Sequence, residues 1–301
     1  MTAPFRYDGR VALVTGAGGG LGRTHALLLA ARGAKVVVND LGSGPAGDGV
    51  DIGPAQKVVN EITAAGGEAA ANTDSVTEGH RLVEATLDRF GRIDILINNA
   101  GFLRDVAFHN MKESDWNDIY QVHLYGAFRV AHAAWPHLRK QAFGRVINTS
   151  SAAGIYGNFG QTNYSSMKLA VHGFTQALAV EGRSKNILVN TIAPAADSRL
   201  TRTVMSEEQL KPMQPDYVSP LAAYLCHEKC QETGGLFEVG GGWVGKLRWE
   251  RTLGAYLPTQ NGISIEDIDA AWTKISDFSG AEHPGSMAEG GKPFAKIMGP
   301  G

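Results

Sequence analysis

Five short β-branched runs, Val11 to Thr15, Val36 to Asn39, Ile93 to Ile97, Val146 to Thr149 and Ile187 to Ile192, are separated by stretches with apolar residues at every third or fourth position. Four of these stretches, Leu21 to Ala31, Glu78 to Phe90, Trp116 to Leu138 and Tyr164 to Val180, are predicted to be helices with one buried stripe. This alternation leaves little choice of fold. Parallel strands need crossovers and every helix must bury its stripe, so the chain is expected to form a parallel sheet with helices on both faces. The expected class is α/β, a doubly wound, Rossmann-type parallel sheet in three layers, as one domain with a C-terminal extension. In such sheets ligands sit beyond the carboxyl ends of the strands, where strand order reverses.

Composition narrows the function. The 301 residues include 38 glycines, roughly twice the usual share, with no Gly-x-y period and with 43% hydrophobic residues. The glycines must therefore serve local backbone geometry. A formal charge of −2 offers no field to hold nucleic acid or an anionic membrane. Two cysteines, Cys226 and Cys230, are too few for a disulfide framework and fit a reducing compartment. No apolar run approaches the roughly 18 residues needed to span a bilayer, and the N-terminus carries no leader pattern. A soluble, unprocessed chain acting on a small molecule is the expectation.

The segment Thr15-Gly16-Ala17-Gly18-Gly19-Gly20-Leu21-Gly22 follows a predicted strand and opens a predicted helix. Glycine there permits positive φ and lets the backbone approach a pyrophosphate, which the helix N-terminus meets with free N–H groups. Gly16, Gly20, Leu21 and Gly22 are the candidate contacts. Asp40, eighteen residues after Gly22 and at the end of the next strand, is placed to accept from adenosine ribose hydroxyls and to repel a 2′-phosphate. NAD rather than NADP is the expected cofactor.

Tyr164 and Lys168 are four apart in a predicted helix and so leave the same face. A free phenol is only about 0.1% ionised at neutral pH, and a neighbouring ammonium, with the positive nicotinamide ring when oxidised cofactor is bound, is expected to lower its pKa. Ser151, thirteen residues upstream at another strand end, is a candidate to hold a substrate oxygen beside the tyrosine. Together these would set a phenolate base beside a held substrate oxygen.

The Gly turn, Asp40, Ser151, Tyr164 and Lys168 resemble the classical short-chain dehydrogenases/reductases over roughly residues 8 to 245. Asn98-Asn99-Ala100-Gly101 resembles that family's motif after strand four, and Asp74-Ser75-Val76 the segment that contacts adenine. Pro194 stands where the family has Pro-Gly, with Ala195 and Ala196 following, and the loop Ala195 to Thr201 would border the nicotinamide carboxamide. The resemblance implies a homodimer or tetramer.

Within the family, Phe5 to Arg10, Gly154 to Gln161 and Gly234 to Thr252 are similar to the (3R)-hydroxyacyl-CoA dehydrogenase portions of peroxisomal multifunctional enzymes. That likeness implies NAD-dependent oxidation of a (3R)-3-hydroxyacyl-CoA to the 3-ketoacyl-CoA in fatty-acid or sterol side-chain β-oxidation, with hydration supplied by a separate enoyl-CoA hydratase. The C-terminal Met298-Gly299-Pro300-Gly301 differs from a Ser-Lys-Leu address, so a cytoplasmic enzyme is expected. Where the family carries Val-Asn-Leu-x-Gly with a catalytic Asn, this chain reads Val122-His123-Leu124-Tyr125-Gly126. His123 is thus a candidate for a minor proton-relay role or for a helix-shaping one.

Other readings stay open. The class alternatives are a hydroxysteroid or other secondary-alcohol dehydrogenase, a 3-oxoacyl-thioester reductase, and a non-catalytic dinucleotide-binding scaffold. Cys226, His227 and Cys230 lack a second ligand pair, so buried thiols are favoured over a metal site. Lys246, Arg248 and Arg251 are either a clamp for CoA phosphates or a solvated surface, and Trp243, Trp249 and Trp272 either line an acyl pocket or pack in a core or interface. The glycine- and proline-rich segments Leu41 to Pro54 and Ser279 to Gly301 are read as a loop and a loose tail. Residues 1–245 form the expected dehydrogenase domain and 246–301 its extension.

Overall fold

Successive strand residues point to opposite faces, and this sorts the apolar side chains into two cores. In the computed structural model, which describes residues 4–42, 51–197, 206–260 and 262–298 (298 by its backbone only), the strands form one eight-stranded sheet. They are β1 (Val11–Thr15), β2 (Lys35–Asn39), β3 (Ala69–Asn72), β4 (Ile95–Asn98), β5 (Gly144–Thr149), β6 (Ile187–Pro194), β7 (Leu236–Gly240) and β8 (Trp243–Leu247). Their order is β3-β2-β1-β4-β5-β6-β7-β8. The pairings from β3 across to β7 are parallel.

Ala12, Val14, Val36, Val38, Ile95 and Ile97 enter one core with the helices α1 (Gly20–Ala31), α2 (Gly53–Ala64) and α9 (Ser219–Cys226), the last following the short α8 (Glu207–Leu210). Leu13, Val37, Leu96, Val146 and Val189 enter the other with α3 (Gly79–Phe90), α5 (Ala127–Gln141) and α7 (Thr162–Gly182). The three-layer α/β expectation holds. Chain order reverses between β1 and β4, which puts a crevice at their carboxyl ends.

The predicted helix from Trp116 to Leu138 is three pieces: α4 (Glu113–Tyr120), a π-helical turn at Gln121–Gly126, and α5. The wider turn admits close contact, since a Cβ on Gly126 would strike Val76 and the Gln121 carbonyl, and it buries His123. Gly240-Gly241-Gly242 interrupts the apolar alternation and conceals β7 and β8 in the sequence pattern. Gly241 and Gly242 have φ of +56° and +86°, as a two-residue hairpin turn requires, and β8 lies beside β7 in the sheet.

Part of the expected loop Leu41 to Pro54 is helix. Gly53 and Pro54 open α2, where proline's missing N–H costs nothing, while residues 43–50 lie outside those described. Also outside them are residues 198–201 of the loop expected to border the nicotinamide and the final residues 299–301.

The chain divides into two compact units, Met1–Lys246 and Leu247–Gly301. Within the second lie α10 (Ile265–Ile275), α11 (Met287–Gly290) and α12 (Lys292–Met298). The segment from Ser279 is therefore not simply a loose tail: Ser286 caps α11 by accepting from Glu289 N, and the Arg251 guanidinium bonds Gly290 O at 2.7 Å and Glu282 at 2.8 Å. Among the described residues no helix is long and apolar enough to cross a membrane.

Candidate active site

The Gly turn joins β1 to α1 with Gly16 at φ +62° and Gly20 at φ +49°. A Cβ on Gly16 would lie 2.8 Å from Ala100 Cα, and one on Gly22 would strike Gly16 O, so both glycines are also needed for packing. Gly19 caps α1 without a side-chain acceptor, and nothing lies within 4 Å of a Cβ built on Gly19 or Gly20. The turn therefore presents the uncovered N–H groups of a helix start to open space. Leu21, by contrast, packs its side chain against the core. Asp40 accepts from Gly18 N and Gly42 N, each at 2.8 Å, which fixes a carboxylate beside the turn.

Across the crevice, Thr15 Oγ1 accepts from Asn99 N and Ala100 N at 3.1 Å, while Asn99 Nδ2 donates to Thr15 O and Gly16 O at 3.1 Å. These bonds tie the end of β4 to the turn after β1. Asn98 Nδ2 donates to Asn148 Oδ1, and Asn148 Nδ2 to Thr175 Oγ1, both at 2.9 Å, tying β4 to β5 and α7. Asn39 Nδ2 donates to Asn72 Oδ1 at 2.8 Å and to Asp74 O at 2.9 Å, which sets Asp74 at the end of β3. Ser75 caps the following turn, and Val76 lines a cavity of about 10 Å³, room for one water, with Thr15, Asn98, Ala100, His123, Thr149 and Lys168. Three of these residues each carry a buried polar atom without a protein partner: Asn98 Oδ1, His123 Nδ1 and Thr149 Oγ1. Pro194 ends β6, and Ala195 N donates to Val239 O at 2.8 Å.

Ser151 caps the short helix α6 (Ala152–Tyr156) and is hydrogen-bonded to the Tyr164 phenol, pulling its pKa down. Burial outweighs that bond and raises Tyr164 to about 12; Asp105 adds to the rise. The framework of the protein alone thus holds the phenol's pKa above its ordinary value. The Lys168 ammonium donates to Thr149 O at 2.6 Å and lies 5.5 Å from the Tyr164 ring centre. Burial brings Lys168 itself down to about 7.

His123 stands edge-on to Tyr164, ring centres 5.3 Å apart. Its Nε2 lies 3.2 Å from Phe102 N and 2.9 Å from Phe102 O, accepting from one or donating to the other according to tautomer. Burial, with Lys168 nearby, holds its pKa well below the usual imidazole value, so it is neutral at physiological pH. A Cβ on Gly101 would strike the His123 ring, which gives that glycine a second reason to be there.

A model of the short chain dehydrogenase family matches residues 10–212, across the Gly turn, Ser151, Tyr164 and Lys168. The chain belongs to this family. It is therefore an oxidoreductase acting on CH–OH groups with a nicotinamide dinucleotide. It is 55% identical to the peroxisomal multifunctional enzyme type 2 of Mus musculus, over 96% of this chain and 40% of that one. It is 53% identical to the peroxisomal hydratase-dehydrogenase-epimerase of Neurospora crassa, over 94% and 32%. The chain thus spans less than half the length of either relative. Among solved structures, 7α-hydroxysteroid dehydrogenase complexed with NADH and 7-oxo glycochenodeoxycholic acid aligns with a TM-score of 0.71 and 30% identity, over 79% of this chain and 95% of that one.

The dehydrogenase also contains residues near Tyr164 that sequence patterns did not single out. Asp105 accepts from Gln161 Nε2 at 2.8 Å, and only the position of Gln161, three before Tyr164, hinted at a shared face. In the extension, Lys246 pairs with Glu232 at 2.9 Å and Arg251 with Glu282, so two of the three cations considered for CoA phosphates already face carboxylates. Trp243, Trp249 and Trp272 are each more than half exposed, so they are not core residues of this chain. Cys226 and Cys230 are both free and buried.

Proposed function

We propose that this short-chain dehydrogenase oxidises a (3R)-3-hydroxyacyl-CoA to the 3-ketoacyl-CoA with NAD, in fatty-acid or sterol side-chain β-oxidation. The observation that carries the chemistry is the hydrogen-bonded Ser151–Tyr164 pair with the Lys168 ammonium one helical turn away. The acyl-CoA substrate is supported by the identity to the multifunctional relatives over nearly this whole chain.

The residues present fit a dinucleotide. The cradle at Gly16 and Gly22 admits no Cβ, the helix start above it is open, and the crevice wall carries buried polar atoms without protein partners. Gly16, Gly20, Leu21 and Gly22 would hold the pyrophosphate through backbone groups, and Asp40 the adenosine ribose. Asp74, Ser75 and Val76 would lie by the adenine; Asn98 to Gly101 and Pro194 would flank the nicotinamide. The fixed carboxylate of Asp40 favours NAD over NADP, because a 2′-phosphate there would meet like charge.

When bound, NAD supplies the hydride acceptor. Ser151 holds the substrate hydroxyl, and Tyr164 takes its proton as the C3 hydrogen leaves with its electron pair. Lys168 offers a positive charge to the phenolate and a donor to the nicotinamide ribose. His123, neutral beside Tyr164, joins the proton path in a minor role, so His123→Ala should lower kcat in a pH-dependent way; full kcat at every pH would exclude the relay. A separate enoyl-CoA hydratase would make the substrate, the enzyme would act as a homodimer or tetramer, and its free, buried thiols support a reducing compartment, proposed as the cytoplasm.

Reduced-nicotinamide absorbance with (3R)- and (3S)-hydroxyacyl-CoA panels and with free steroid alcohols tests this reading. The (3R) thioesters should react, and Tyr164→Phe should keep NAD affinity while losing most of kcat. Signal with steroid alcohols alone would favour the second reading, which the hydroxysteroid dehydrogenase likeness supports. Equal kcat/KM with NAD and NADP would remove the assigned role of Asp40.

A further inference from the structure

Three consecutive residues of the loop after β4 are bonded to residues 160, 161 and 163, where the chain enters α7. Arg104 O accepts from Asn163 Nδ2 at 3.1 Å, Asp105 accepts from Gln161 Nε2 at 2.8 Å, and Val106 N donates to Gly160 O at 2.8 Å. Both ends of the buried Gln161 amide are engaged, since its Oε1 also accepts from Asn158 Nδ2 at 2.9 Å. Asn163 is fully buried; it donates in addition to Asp115 O at 3.1 Å and accepts from Tyr164 N at 2.8 Å. The loop is thus stapled to the helix turn that carries Tyr164. Of the three links, the one through Asp105 carries a charge.

Among the described residues, the titratable and charged groups around Tyr164 are Lys168 on its own helix, His123 on the π-helical turn, and Asp105 in the loop. Arg104, beside Asp105, reaches Asp118 at 3.6 Å. We propose that Asp105 is a positioning residue for the oxidation: through Gln161 it holds the loop, and with it a carboxylate, against the turn of α7 that carries Tyr164. A negative charge near the phenol works against the phenolate, which agrees with the upward push Asp105 exerts on Tyr164. Burial in turn holds the Asp105 carboxyl above its ordinary pKa, opposed by the Gln161 bond. The inference rests on Tyr164 being the proton acceptor proposed above.

Asp105→Asn keeps the shape and an acceptor for Gln161 but removes the charge. Its kcat/KM for alcohol oxidation should rise with pH on a limb displaced downward by on the order of one pH unit, about a tenfold gain below the limb, with KM changed less than about twofold. Gln161→Ala keeps the charge and frees the loop, so KM should rise while the limb moves little. Ultraviolet difference titration of Asp105→Asn, with and without Tyr164→Phe, reads the phenol's ionisation without substrate and should show the same displacement. A folded Asp105→Asn enzyme with an unmoved limb and an unmoved Tyr164 titration overturns the proposal. If Tyr164→Phe keeps its turnover, the proton-acceptor assignment fails instead, and the phenol titration still decides whether Asp105 acts on Tyr164.

Discussion

His25 is 1% exposed in α1, the helix that opens on the Gly turn, and its protonation should cost the fold measurable stability. A directed chain of hydrogen bonds fixes its tautomer. Thr24 Oγ1 donates to Leu21 O at 2.9 Å, Ser219 Oγ donates to Thr24 Oγ1 at 2.8 Å, and His25 Nδ1 lies 2.8 Å from Ser219 Oγ. With the Ser219 proton already committed, Nδ1 must be the donor, and Nε2 is left as a buried lone pair without a protein partner. A second proton would place a cation with an unpaired N–H in the core, so burial lowers the His25 pKa from 6.5 to about 4. The unfolded chain therefore binds more protons than the folded one between those values. Stability is full above pH 6.5 and falls as pH drops toward about 4, and at about 1.4 kcal/mol per pH unit the loss approaches about 3 kcal/mol. That is a large part of a typical domain's margin. Urea denaturation from about pH 7 to about pH 4, on the native protein and on His25→Asn, measures it. The variant should be less stable at neutral pH, having lost ring packing, yet show a flatter acid slope. His123 titrates alike in both and cancels in the comparison. Identical slopes would refute the argument.

Three further predictions concern the site. Gly101→Ala forces a methyl into the His123 ring, which Phe102 and Tyr164 hold in place, so about 1 to 3 kcal/mol of stability and much of kcat should be lost; native Tm and kcat would mean the ring can retreat. Asn99→Ala breaks the tie between the end of β4 and the Gly turn and should weaken cofactor binding about tenfold or more, read by NADH fluorescence titration, with unchanged Kd counting against the brace. Lys168→Met removes a buried ammonium whose pKa has fallen to about 7, so the charge it costs the fold is greatest at and below neutral pH. The variant should gain thermal stability there while losing turnover, and a fall in Tm would show that the bond to Thr149 O outweighs the burial of the charge.

The sequence pattern carried the layers because alternation and helical period are local signals. Ala12, Leu13 and Val14 show their fate by position alone, and Tyr164 and Lys168 are neighbours in any helix. What stayed hidden depended on contacts between distant segments or on single residues overriding a period. The π-helical turn is invisible to a periodicity search because Val122 to Tyr125 supply apolar residues at either spacing; only the meeting of Gly126 with Val76 makes the wider turn pack. Read as a hairpin turn, Gly241-Gly242 would have exposed β7 and β8, but the surrounding glycines masked the signal.

The chemistry divides along the same line. Spacing placed Lys168 beside Tyr164, yet it could not say that the ammonium would spend its hydrogen bond on Thr149 O or that burial would push the two groups' pKa values toward their uncharged forms. Both shifts have one cause, desolvation, and both must be reversed for a phenolate to form beside an ammonium. The site is therefore built to resist its own reactive charge state until positive charge enters the crevice. Under the proposed mechanism a cationic nicotinamide beside the phenol would favour the phenolate, so the Tyr164 pKa should fall when oxidised cofactor binds, and an unchanged phenol titration would count against that role.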